Sequence, residues 1–258
     1  GAPLEGTIHG VPDITDDRPQ PSDRIPQPRV PEYGVQLHLG PFAVAPRSER
    51  EIFFYVDKAF GDQAEDVTVQ RIDVHMSEES HHFILYQWIK STKPPAGIRE
   101  TSSVDFISSQ RFIVGAQQSY LSLSFPEGVG LKFPKTASFD LNSHYVNLGR
   151  DTTLQAEVYV NIFFAVPGSV TTFAKPIFDI NQTINVPPHE TRTTKLVFPS
   201  LSSQLQDPAL GSSGRVSRET HVYALSSHMH RHGVRFSAFL VQNGRDMVPP
   251  QMVYDNLD

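Results

Sequence analysis

Between residues 154 and 164 the chain reads LQAEVYVNIFF, and every second side chain is apolar. Leu154, Ala156, Val158, Val160, Ile162 and Phe164 fall on one face, with Gln155, Glu157, Tyr159 and Asn161 on the other. A period of two predicts a half-buried strand. Comparable alternation marks 50–56, 67–76, 81–89, 120–125, 137–148, 192–198, 221–230 and 234–244. Clusters of Pro, Gly, Asn, Asp and Ser separate these segments, the punctuation of antiparallel sandwiches and barrels. No segment keeps a 3.6-residue apolar period over three turns. The pattern predicts an all-β fold.

Residues 1–32 hold seven prolines and few apolar side chains, which predicts an extended arm outside the packed core. Beyond it the stretches 37–56 and 178–198 echo each other: each runs from a short strand through a Pro turn and polar residues into another strand. Each reads as the opening of a β-sandwich. The Pro, Gly and Thr of 166–178 follow a strong strand and mark the boundary. The expected organisation is the arm, a first sandwich over 33–170, and a second over 171–258. The second is short for two packed sheets.

Composition narrows the partners. A formal charge of −6 and a pI near 6.0 give no basic field for a phosphate backbone, so nucleic acid is not expected. No run of about 18 apolar residues could cross a bilayer as a helix. The start GAPLEG has neither the basic nor the apolar region of a secretory signal, which is expected to be absent or already removed. Asn181-Gln182-Thr183 fits a glycosylation acceptor. With no cysteine, a metal has only imidazole, carboxylate or thioether to bind.

Six of the eleven histidines fall in two groups, 75–82 and 228–232. On a strand His228, His230 and His232 would share a face at about 6.5–7 Å spacing, close enough for two rings to meet on one ion. The alternative is that they face water at a strand end, and the clustering with other histidines favours the metal. His81 and His82 are neighbours, and neighbours on a regular strand point to opposite faces, so both reach one ion only across a kink, a twist or an edge. A surface pair is the simpler reading of the doublet alone. In 137–149, Phe139, Leu141 and Tyr145 share one face, leaving Ser138, Asp140, Asn142 and His144 on the other. His144 is either an ordinary surface residue or a third imidazole beside the doublet. Asp73, Glu78, Glu79 and Asp140 lie close enough in sequence to support such rings, and none is assigned. No zinc-protease, nucleophile-elbow, P-loop or dinucleotide motif is present. A cupin-like site would want a Glu after its H-x-H, but the last Glu is Glu219. A zinc lyase or hydrolase using the H-x-H with His221 stays open.

Taken in order, the His-His doublet before an apolar strand, then FPEGVGLKFPKTASFDLNSHYVNLG, then HMHRHG, resemble the copper type II, ascorbate-dependent monooxygenases. The peptidylglycine alpha-hydroxylating and dopamine beta-monooxygenases belong to that family. The resemblance runs from about residue 33 to the end. It implies two jelly-roll-like sandwiches with one copper each, two per chain. His81, His82 and His144 would hold the electron-transfer copper, and His228 and His230 the oxygen-activating, catalytic one. It further implies O2, an ascorbate-like reductant, a small-molecule or peptide substrate, and a secreted or periplasmic setting. Two features depart from the family. Its second copper also takes a methionine well downstream, and Met247 and Met252 come too early to match. Its cysteines are missing, with Trp88 where one often follows the doublet. The missing methionine position and the short second sandwich favour the alternative, a copper-binding or adhesive sandwich without oxygenase activity.

Overall fold

The computed structural model describes residues 7–8, 24–100, 109–149, 151–181, 183–200, 203, 211–212, 215–216, 221–229, 232–242, 245–246 and 249–257. The chain is all-β and divides into two compact units, Gly1–Pro176 and Ile177–Asp258.

The first unit is a sandwich of two sheets. One holds β1 (Thr7–Ile8), β2 (Gly34–Val44), β4 (Val67–Met76), β8 (Tyr120–Ser124), β9 (Val129–Phe133), β11 (Leu154–Phe164) and β12 (Thr172–Phe173). Its order is β1-β2-β11-β4-β9-β12, with β8 also paired to β4. The other holds β3 (Ser48–Val56), β5 (Ser80–Trp88), β6 (Ile98–Arg99), β7 (Gln110–Ala116) and β10 (Ser138–Asn147), in the order β6-β3-β10-β5-β7, antiparallel throughout. Because β12 pairs with Val129 and Gly130, the chain stays with this unit past residue 170.

The alternation read from the sequence sorts the side chains. Leu37, Val74, Val158 and Val160 from one sheet meet Ile52, Leu85, Phe139 and Leu141 from the other in a single apolar cluster. Each large side chain removed from water there contributes about 1.5–3 kcal/mol. Tyr145 is wholly buried among them, edge-on to Phe42, with its hydroxyl hydrogen-bonded to Ser77 and donating to the Glu157 carbonyl.

Burial of β11 differs from the half-buried strand expected. Gln155, Glu157, Tyr159 and Asn161 are as buried as their apolar neighbours. The cover is the Pro-rich segment expected as a loose arm: from Arg24 onward it straps the outer face of β2 and β11. The Gln36 amide donates to the Pro28 carbonyl (3.0 Å) and to Asn161 (2.9 Å), Gln27 donates to Gln36 (2.7 Å), and Asn161 donates to the Arg29 carbonyl (3.1 Å). Prolines hold this segment extended and leave its carbonyls available to the sheet. Arg24 Nη2 and His38 Nε2 meet Glu157 Oε1 at 2.8 and 2.9 Å, and the Tyr159 hydroxyl donates to the same oxygen at 3.1 Å. Burial pushes the Glu157 carboxyl up, but the hydrogen bonds from His38 and Arg24 outweigh it and hold it at about 2. The β2 strand passes this bulged carboxylate at Gly40, where a Cβ would stand 2.7 Å from the Ala156 carbonyl oxygen and φ is +117°.

In the second unit the described strands make three two-stranded pieces. They are β13 (Gly211–Ser212) with β14 (Arg215–Val216), β15 (Arg235–Phe239) with β18 (Met252–Leu257), and β16 (Val241–Gln242) with β17 (Arg245–Asp246). The strands expected over 192–198 and 221–230 are not found among the described residues of those segments. Alternation alone does not make a strand without a neighbour to complete its ladder, and 221–226 is exposed throughout.

Candidate metal centre

Three first-unit histidines, His81, His82 and His144, gather on the outer face of the five-stranded sheet. β10 is the middle strand there, with β5 on one side and β3 on the other. His144 sits opposite His82 on β5, but the next rung pairs Tyr145 with Ser80, so His81 is an extra residue in a β-bulge. The bulge answers the problem posed by adjacent histidines. It swings His81 out of strict alternation while Phe83 and Leu85 still face the core.

All three rings come together. Ring centres lie 5.3 Å apart for His81 and His82, 5.2 Å for His81 and His144, and 5.1 Å for His82 and His144. The planes are tilted or edge-on, at 56°, 88° and 75°. His82 is buried and the other two are partly buried.

Two carboxylates from β3 complete the surroundings. Glu51 pairs with His144 across the ladder, and its Oε1 lies 3.7 Å from His82 Nε2. Asn142 donates from Nδ2 to the same Oε1 at 3.0 Å and to the Ile52 carbonyl at 3.2 Å. Glu49 Oε2 lies 3.6 Å from His144 Nε2. The His82 imidazole does most to lower the Glu51 carboxyl, burial opposes it, and with Asn142 helping the group comes down to about 2. Burial, and then the proximity of His82, lowers the His144 pKa below its ordinary value, which favours the neutral ring a metal needs.

Of the acidic residues near the doublet in sequence, Asp140 and Asp73 are engaged elsewhere. Asp140 shares the outer face but is bound by Arg99 and by Gln110. Asp73, on the other sheet, accepts from Ser122 at 2.7 Å. Glu78 is exposed, and the Glu79 carbonyl accepts from the Val146 N–H. Trp88 ends β5 and donates to the Thr92 carbonyl.

In the second unit His228 is exposed and follows Ser227, whose hydroxyl meets the Tyr254 hydroxyl at 3.1 Å and accepts from Asn256 at 3.0 Å. That fixes the chain beside His228 to β18. His221 and His232 are exposed. His230 and Met247 lie outside the described residues, and Met252 is exposed on β18. Asn181 accepts from the Thr183 N–H and hydroxyl.

The chain matches no protein-family model and no curated protein.

Proposed function

We propose that the protein is a copper-binding oxidoreductase of the ascorbate-dependent monooxygenase kind, with His81, His82 and His144 holding one copper in the first unit. The carrying observation is the spacing of the three rings. An imidazole nitrogen about 2.0 Å from an ion puts its ring centre about 3.2 Å away, so two rings at a tetrahedral angle stand about 5.2 Å apart. The three pairs here measure 5.1–5.3 Å. Three neutral imidazoles suit copper and other borderline divalent metals better than calcium or magnesium, which prefer oxygen.

A copper ion held there would supply one-electron chemistry. The chain's own part is to fix the rings on a rigid ladder, keep His82 out of water, and place Glu51 and Glu49 beside Nε2 of two of them. The second copper, on His228 and His230, with O2 as oxidant and an activated C–H bond as target, rests on the resemblance of HMHRHG to the family motif.

Copper titration followed by electron paramagnetic resonance tests this reading. Two Cu(II) per chain are expected, one removed by His81→Ala, His82→Ala or His144→Ala and the other by His228→Ala or His230→Ala. Copper-dependent consumption of O2 in the presence of ascorbate is expected as well. Two coppers without that consumption would favour a non-catalytic copper protein. A single colourless ion indifferent to His81→Ala would favour a zinc hydrolase or lyase.

A further inference from the structure

We infer that Glu51, braced by Asn142, and Glu49 are positioning residues that set the His82 and His144 rings and bias the site toward divalent copper. The inference rests on the copper reading above and deepens it.

The geometry is directional. In both rings the nitrogen nearest a carboxylate is Nε2, at 3.7 Å from Glu51 for His82 and 3.6 Å from Glu49 for His144. These separations exceed a full N–H···O bond of about 2.7–3.2 Å, so a shift of less than about 1 Å would close each one. An imidazole that ligates through one nitrogen carries its proton on the other, and a carboxylate accepting that proton fixes both tautomer and ring angle. Nε2 facing glutamate therefore assigns Nδ1 of these two rings to the ion.

Glu51 stands at the surface, its side chain 44 % exposed, but its carboxylate is held. Asn142 ties its Oε1 to the β3 backbone, because the same amide nitrogen also reaches the Ile52 carbonyl. The ladder sets the rest: Glu51 is paired with His144, and His144 with His82, across three adjacent strands. A ring hydrogen-bonded to a carboxylate is a more basic ligand. Two negative charges next to the rings also stabilise an ion of charge two more than an ion of charge one. Both effects act in the same direction, toward Cu(II) over Cu(I).

The test uses the full chain. Cu(II) and Cu(I) affinities are measured by competition with chelators specific for each state, together with the midpoint potential and the Cu(II) resonance spectrum. Glu51→Gln and Glu49→Gln are each expected to weaken Cu(II) about 10–100-fold, in the range typical of groups that orient metal ligands. Cu(I) is expected to weaken less. Each tenfold difference between the two states raises the potential by about 59 mV. Glu51→Asp is expected to restore part of the loss. Glu49 is two-thirds exposed, so its variant keeps the test decisive should Glu51→Gln disturb folding.

Equal weakening of Cu(II) and Cu(I) would overturn the inference, as would unchanged affinities and an unchanged spectrum in both variants, with the copper reading left standing. A wild-type chain that takes up no copper would remove the copper reading and this inference with it.

Discussion

His82 and His144 stand across one rung of an antiparallel ladder with ring centres 5.1 Å apart and planes at 75°. Their backbones belong to strands separated by residues 89–137, so the pair is a product of the fold. The site's first consequence is energetic. An ion that binds only the folded chain stabilises it by about 2.7 kcal/mol at a free concentration one hundred times its dissociation constant. Copper is expected to move the urea midpoint upward in the wild-type chain. In His144→Ala the shift from this site is expected to vanish, while the copper-free midpoints of the two chains stay close because His144 lies outside the core.

The bulge makes a sharper prediction. His81 is the residue that breaks the register between β5 and β10. Deleting it leaves Ser80 opposite Tyr145 and His82 opposite His144, a regular ladder with one imidazole fewer. The deletion is expected to keep the hydrogen-exchange protection of β10 and to lose first-unit copper by electron paramagnetic resonance. Lost protection together with lost copper would mean that the bulge holds the sheet as well as the ring.

Asp140 separates nearness in sequence from nearness in chemistry. It is fully buried on the same strand face as His144, and burial pushes its carboxyl up despite the opposing pull of Arg99 and Gln110. Removing one partner of a buried charge pair costs about 3–5 kcal/mol. Asp140→Ala is expected to lower stability on that scale. The copper spectrum and affinity of the folded fraction are expected to stay as in the wild type, because both carboxylate oxygens are engaged with Arg99 and Gln110.

These cases show how far the sequence carries. Period-two alternation is a local property, and it located β4, β5, β10 and β11 and sorted Phe139, Leu141 and Tyr145 from Asp140, Asn142 and His144. It also left His81 and His82 on opposite faces, because a bulge depends on a partner strand that alternation does not contain. The same limit hid Glu49 and Glu51. Their spacing on β3 puts both on one face, but only the β3–β10 register brings that face to the histidines. Tertiary context overrode the pattern twice more: the strap buries the polar side of β11, and 192–198 and 221–229 alternate without a described ladder partner.

The strap yields a prediction with a pH sign. Glu157 is fully buried and held at about 2 in the folded chain, against an ordinary glutamate value of about 4.5. A depressed carboxyl means that the unfolded chain binds the proton more tightly. The stabilisation is therefore complete above about pH 4.5 and is lost as pH falls toward 2. Its size is on the order of 3 kcal/mol at most, since one pKa unit corresponds to about 1.36 kcal/mol. Urea midpoints measured between pH 7 and pH 3 are expected to fall more steeply in the wild type than in Glu157→Gln, which has no proton to take up. At pH 7 the same variant is expected to be less stable than wild type, because Arg24 and His38 lose the charge they face. Removing residues 1–31 takes Arg24 and the Pro28 and Arg29 carbonyls away together. That truncation is expected to speed hydrogen exchange in β2 and β11 while β5 and β10, on the opposite sheet, keep their protection. Equal loss in both sheets would show that the strap holds the whole sandwich instead of one of its faces.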